Sequence, residues 1–566
     1  MTRLTNDPAD FPAEALKGFI AANKRYVKPV YGGVARSTFT PAGKVAVVYG
    51  GGSGHYPAFA GWVGHGFADG AVCGNIFSSP SAAQAYSVLK AVHRGAGVLM
   101  GFGNYAGDVL HFGQAIERLR AEGIEADTLV VTDDIASGDA AEPEKRRGIA
   151  GDFPVFKITG AAAEAGLGFD EVRRVFARAN AATRSFGVAF AGCTLPGAKG
   201  PLFTVPAGRM GIGLGIHGEP GVAEADLGSA DDVARTLVEG LLEDRPAGAG
   251  DRVVAIVNGL GSSKYEELFV VTSCVVALLE AAGLECADVE AGEFVTSLDM
   301  AGVSLTLVWV DDELLGYWDA PCDAPAYRKG SVGSVERDDA ALSQAAAPVE
   351  VTAPGSAASR EVAEVAAGLL DDVAGMLARA QEELGALDSV AGDGDHGIGM
   401  ANGARAAAGA ARAAVSAGGG LRTTLTAAGD AWSNRAGGTS GALWGALLTA
   451  LGSALGDEKT PGSDDLAVAL QAALSAVQRL GGAEVGDKTL VDALSPFVAA
   501  FVATDGDLAA KSAAAVVAAE AGTESTRALV ARLGRARPLG EKSVGTPDPG
   551  AVSLTKVVTL LNSRLG

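Results

Sequence analysis

Near residue 330 the hydrophobic pattern of this 566-residue chain changes kind. Before that point, short Val/Ile/Leu runs end in Gly or Asp and alternate with amphipathic stretches. Lys44–Gly51, Gly97–Phe102, Asp127–Asp134 and Arg252–Gly259 read as strands of a sheet covered on both faces. Asp108–Ala121 and Phe169–Arg184 read as helices between them. Alternation on either side of Asp311-Asp312 predicts a hairpin, and with it a mixed sheet. Residues 331–356 are rich in Ala, Ser and Pro and have linker composition. Beyond them the chain is nearly all helix-forming, with Leu, Val and Phe at helical spacing among many alanines and Gly-rich breaks at 392–399, 418–420, 437–441 and 481–486. The predicted organisation is a mixed α/β half over 1–330, a linker over 331–356 and a helical domain over 357–566.

Charge and cysteine content narrow the function. With 45 Lys+Arg against 67 Asp+Glu the net charge is −22. A basic face for nucleic acid is not expected, nor attraction to anionic membranes. The opening residues carry Arg3 with no apolar run behind it, so no secretory signal is expected. The longest uncharged apolar stretch, Leu268–Leu279, is too short for a membrane span. Five scattered cysteines, never paired as C-x-x-C, argue against a disulfide framework or a zinc site. A soluble cytoplasmic protein is the expectation. If it handles phosphate, its acidity demands a cation beside the anionic ligand.

Three segments of the first half carry chemistry. Gly50-Gly-Gly52-Ser53-Gly54-His55 follows a strand and lacks dinucleotide-loop spacing. Such a turn suits either tight packing or a ligand cradle, and a histidine inside it favours the cradle. Gly103-Asn-Tyr-Ala-Gly-Asp108 closes a second strand, where parallel sheets gather ligands. Asp108 reads as a helix cap or a catalytic carboxylate. Gly211–Gly221 alternates Gly with Ile or Leu and holds His217. His65, His93 and His111 fall on expected surfaces or helices.

In the second half, Asp388, Asp393 and Asp395 crowd one Gly-rich turn. They form either a solvated acidic turn or a cation site; three carboxylates this close repel unless a cation sits among them, and hard oxygen donors select Mg²⁺ or Ca²⁺. The spacing does not fit an EF-hand, whereas Mg²⁺ shared with substrate phosphates fits. Gly437–Gly441, Gly486–Thr489 and Arg535–Gly550 offer amides, hydroxyls and an arginine for a nucleotide. Neither a P-loop nor a protein-kinase catalytic loop is present.

These motifs resemble one family. GGGSGHYPAFAG, GNYAGD, TDDIAS, GIHGEPG and SLDMAGVSLTL are similar to the substrate domain of single-chain, ATP-dependent dihydroxyacetone kinases. LDSVAGDGDHG, GGTSGALWGALL, VGDKTLVDAL and ARPLGEKSVGTPDPGA are similar to their nucleotide domain. The resemblance implies a two-part α/β substrate domain with a mixed sheet, an all-α antiparallel helical barrel and a homodimer. It implies that His217 forms a covalent hemiaminal with the ketone, that Gly52, Ser53, Gly54 and His55 cradle the substrate, and that Asp108 takes the hydroxyl proton. Asp388, Asp393 and Asp395 would hold two Mg²⁺ ions. His396, Gly397, Ile398, Gly399, Thr439, Ser440, Gly486, Arg535, Asp548, Pro549 and Gly550 would line the ATP site. The family's usual Lys ahead of Asn-Tyr is Gly103 here, which predicts a roomier pocket and erythrulose ahead of dihydroxyacetone as substrate. An FAD-cyclising lyase using the same nucleotide site and a non-catalytic ketose-binding regulator are the alternatives.

Overall fold

A computed structural model of the chain describes residues 4–219, 221–344, 354–534 and 536–564, with only the backbone of Pro538 and Leu539. The chain divides into two units, Met1–Ala346 and Ala347–Gly566. Part of the expected linker, 345–353, lies outside the described residues.

The first unit contains two six-stranded sheets. One is formed by β1 (Val27–Val30), β2 (Gly33–Arg36), β3 (Ala46–Ser53), β4 (Gly70–Ile76), β5 (Val98–Gly103) and β6 (Ala126–Val131), in the order β1-β2-β4-β3-β5-β6. β4, β3, β5 and β6 run parallel, and β2 pairs antiparallel with both β1 and β4. Alternate residues of β3 and β5 serve two cores. Val47, Tyr49 and Leu99 meet Trp62, Phe153 and Phe156, while Val48, Val98 and Met100 meet Val88, Leu89 and Phe112. Burial on both faces is what made these strands read as unbroken apolar runs.

The second sheet comprises β7 (Thr183–Ala191), β8 (Arg209–Ile212), β9 (Ala223–Asp226), β10 (Arg252–Gly259), β11 (Glu285–Gly292) and β12 (Ala301–Trp309), in the order β11-β10-β12-β7-β8-β9. Only β10 and β11 pair in parallel, so the sheet is mixed as expected. Val254, Ile256 and Val308 join the same aromatic core as Val47 and Tyr49. The helix Asp152–Glu164, buried over nearly its whole length, contributes Phe153, Val155, Phe156 and Ile158 to that core.

Two boundaries differ from expectation. No hairpin forms at Asp311-Asp312. β12 ends at Trp309, and the Asp311 carboxylate accepts the Leu314 N–H at 3.0 Å, capping the helix Asp312–Asp319. An aspartate that satisfies a free helical amide turns an apparent second strand into a helix. The helix from Phe169 ends at Ala181, not Arg184, because Thr183 already pairs with Val308 in the sheet. His111, placed among the surface or helical histidines, is on a helix but fully buried.

The second unit is helical among its described residues, from Ala357–Arg379 to Pro549–Asn562. Sequence neighbours pack pairwise, and the last helix returns to pack on the first. Alanines at 404, 407, 408 and 411 form one buried face that lets helices approach closely. Trp432 and Trp444 stack at 4.8 Å in the middle of this core. No helix among the described residues is long and apolar enough to cross a membrane.

Candidate functional site

Because β3, β5 and β6 are parallel, their carboxyl ends share one edge, and the expected residues follow them there. Gly54 follows β3 at φ +103°, and a Cβ there would come within 2.7 Å of the Phe77 ring. The glycine run is therefore needed for packing against Phe77 as well as for turning. The Ser53 hydroxyl donates to the Gly74 carbonyl at 2.7 Å. His55, buried, stacks on Phe77 at 5.0 Å.

His217 arrives from the far loop and places its Nε2 3.0 Å from His55 Nε2. The outer nitrogens are both engaged. His55 Nδ1 lies 2.7 Å from the Thr296 carbonyl, and His217 Nδ1 lies 3.3 Å from Glu219 Oε1. A carbonyl only accepts, and Glu219 already accepts the His217 N–H at 3.0 Å, so each Nδ1 carries a hydrogen. Two Nε2 atoms facing each other then require one proton between them. Tyr105 packs edge-on against His217 at 4.5 Å, and burial holds its phenol well above its ordinary value.

Asp108 is buried in the first turn of the helix Ala106–Ala121, three residues past Tyr105, which occupies the cap position. The capping alternative for Asp108 does not hold. Gly103 closes β5 against another backbone: a Cβ there would lie 3.0 Å from the Gly148 carbonyl oxygen. A side chain at 103 would therefore press on the Gly148 backbone, which would have to give by a few tenths of an ångström.

In the second unit, Asp388 ends the helix Gln381–Asp388 and Asp395 precedes the helix His396–Ser416. One carboxylate oxygen from each of Asp388, Asp393 and Asp395 lies within 4.8 Å of the others. Asp388 Oδ2 accepts the Gly394 N–H at 2.9 Å and the His396 N–H at 3.4 Å, which fixes its direction. Three hard oxygen donors, one of them oriented by backbone amides, fit Mg²⁺. The His396 ring is held between Ser440 Oγ at 3.2 Å and Ser553 Oγ at 3.0 Å, and burial keeps it below the ordinary histidine value.

Other expected nucleotide residues divide. Thr439 and Ser440 open the helix Gly438–Leu455, half-buried beside His396. Asp548 caps the helix Pro549–Asn562 by accepting the Ala551 N–H at 2.8 Å. Burial pushes it up to about 7, with Asp492 and Asp388 adding to the rise. Pro549 and Gly550 form the first turn of that helix, and Gly486 donates its N–H to Asp492. Ile398 is partly exposed and a Cβ at Gly399 would make only ordinary contact with the Ala436 carbonyl at 3.6 Å, but a Cβ at Gly397 would strike the Gln381 carbonyl at 2.0 Å. Gly397 therefore serves a helix crossing. Arg535 lies outside the described residues.

Several site residues escaped the sequence reading. Glu219 stands two places from His217 in a quoted motif, so proximity could have flagged it. Thr296 acts through its carbonyl, which no side-chain pattern reveals. Lys488 donates to the carbonyls of Leu529 at 3.1 Å and Thr546 at 2.9 Å, and also to Ser543, tying two Gly-rich breaks together. Its place inside such a break was the available signal.

A histidine pair at a sheet edge and a carboxylate trio at a helical turn suit a phosphotransferase. Family models agree: the Dak1 domain matches residues 17–326 and the DAK2 domain residues 390–563. A D-erythrulose kinase of Mycolicibacterium smegmatis is 55% identical over 98% of this chain and 97% of its own length. An L-erythrulose 1-kinase of the same organism is 54% identical over the whole of both chains. The crystal structure of the dihydroxyacetone kinase from C. freundii in complex with AMP-PNP and Mg²⁺ is 30% identical, with a TM-score of 0.54 over 100% of this chain and 99% of that one. The chain belongs to the dihydroxyacetone/erythrulose kinase family, ATP-dependent kinases of short ketoses.

Proposed function

We propose that the chain transfers the γ-phosphoryl group of ATP to a primary hydroxyl of a short ketose, erythrulose ahead of dihydroxyacetone, held as a covalent hemiaminal on His217. The carrying observation is the 3.0 Å approach of the His55 and His217 Nε2 atoms with both Nδ1 atoms engaged. With the shared proton on His55, His217 Nε2 keeps its lone pair, which turns from that hydrogen bond to attack the ketone carbon. The π electrons of the carbonyl move to its oxygen, which takes that proton from His55. The positive charge gained by the alkylated ring is balanced by Glu219. A polyol has no carbonyl to capture, so selection is by reaction as well as by shape.

Pinning the ketone aims a primary hydroxyl, whose proton Asp108 accepts on transfer. Asp388, Asp393 and Asp395 would hold two Mg²⁺ ions, which supply charge neutralisation at the ATP phosphates. Glycine-loop amides fix Asp388, and Ser440 and Ser553 hold the His396 ring still. Thr439, Ser440 and the helix start at Asp548–Gly550 would meet the nucleotide.

Erythrulose is favoured by relatives bearing erythrulose kinase names at 50–55% identity over nearly the whole chain. Measuring kcat/KM for dihydroxyacetone and both erythrulose enantiomers tests it. One enantiomer is expected to lead the triose by about tenfold or more. Preference for the triose would overturn the tetrose assignment and leave the kinase reading standing.

A second reading, cyclisation of FAD to cyclic FMN, draws on Triokinase/FMN cyclase relatives at 34% identity, such as the human protein. Incubation with FAD and Mn²⁺ should release cyclic FMN and AMP if it holds; unchanged FAD would exclude it. The regulator alternative has weaker support. The solved co-activator Dha-DhaQ is similar over 56% of this chain, whereas this chain continues into a helical unit with the aspartate trio.

A further inference from the structure

Arg147 has no part in the reaction described above, yet it is buried beside it. Its Nε and Nη2 hold Asp134 Oδ2 at 3.0 and 2.9 Å, and its own N–H donates to Ser137 Oγ at 2.8 Å. The remaining guanidinium nitrogen, Nη1, stands 3.7 Å from Glu219 Oε1, the oxygen that faces His217 Nδ1. Gly215 makes this contact possible, since a Cβ there would lie 2.0 Å from Glu219 Oε2 and 2.7 Å from Arg147 Nη1. Asp134, Arg147, Glu219, His217, His55 and the Thr296 carbonyl thus form one continuous buried line.

We infer that Arg147 is a positioning residue that restrains the charge of Glu219 and so keeps His217 neutral and nucleophilic near neutral pH. The inference rests on the hemiaminal reading. A carboxylate beside Nδ1 orients the imidazole and raises its affinity for a proton at Nε2. Unopposed, Glu219 would hold His217 protonated, without a lone pair for the ketone. A guanidinium on the far side of that carboxylate offsets part of the pull. Other titratable groups near this line are Tyr105, just past β5, Cys193, from the segment after β7, Asp133 and Asp152 beside Asp134 and Tyr105, and Asp299 beside Cys193. Burial raises Tyr105 and Cys193, the latter to about 11, and raises Asp133 and Asp152; all are acids, so none supplies the positive charge that Arg147 brings.

The test compares native protein, Arg147→Lys and Arg147→Gln. Adduct is followed without ATP, by ¹³C NMR of ketose labelled at C2, and kcat/KM for the ketose is measured from pH 5.5 to 9. In Arg147→Gln the acid limb of both profiles is expected to move up by about 0.5–1 pH unit, with the KM for ATP unchanged. Arg147→Lys, which keeps the charge, should stay within about 0.3 unit of native. The double variant Asp134→Asn/Arg147→Gln leaves no buried lone carboxylate at 134 and, having lost a negative charge as well, should move the limb in the same direction by a smaller amount, which serves if the single variant folds poorly. An unchanged limb in both Gln variants, with adduct present in the native protein, overturns the role of Arg147 alone. Absence of adduct in the native protein at every pH overturns the hemiaminal reading itself.

Discussion

His217→Ala is expected to lower kcat/KM for the ketose by on the order of 10³-fold while leaving the KM for ATP unchanged. The loss has two sources. The covalent anchor that converts a small, weakly held ketose into a positioned one disappears, and His55 loses the ring that shares its Nε2 proton. Discrimination against glycerol should narrow at the same time, because capture of a carbonyl no longer selects the substrate. The C2 resonance of labelled ketose should keep its carbonyl position throughout. Near-native turnover with retained ketone selectivity would remove His217 from the chemistry. An unchanged melting curve would exclude simple unfolding as the cause.

Asp393→Asn separates the second half-reaction from the first. Turnover is expected to fall by about 10³-fold or more, since a metal site supplies several kcal/mol of charge stabilisation. Adduct formation on His217 should persist. The same substitution has an opposite expected effect on stability. Three carboxylates with donor atoms within 4.8 Å repel one another without a cation. In chelator, Asp393→Asn should therefore melt a few degrees above native protein. Added Mg²⁺ should raise the native melting temperature and leave the variant almost unmoved. Equal Mg²⁺ responses in the two proteins would remove the trio from metal binding.

The parts of this molecule legible in sequence are those where local pattern and tertiary role coincide. β10 was readable to the residue because both its faces are buried, so tertiary burial and the apolar run say the same thing. Asp388, Asp393 and Asp395 were readable because the turn that brings them together is itself local. The Asp311 cap was not, since one hydrogen bond decides between strand and helix there. His55 and His217 could each be singled out by their glycine settings, but their meeting across 162 residues depends on packing around Phe77 and Tyr105. The surroundings of Gly103 are hidden for a related reason: the backbone that meets it, Gly148, belongs to another loop.

That backbone contact between Gly103 and Gly148 makes the pocket's evolution epistatic. A side chain at 103 would require the backbone segment at Gly148 to give by a few tenths of an ångström. The same segment presents Arg147 to Asp134 and Glu219, and its Ile149 and Gly151 N–H groups donate to Asp133 at 2.8 and 2.7 Å. A change of substrate preference made at 103 would thus detune the nucleophile unless a second change in the segment restored Arg147. Variants at these two positions should be selected together, and single-site exchange of residue 103 between family members should cost activity on every ketose.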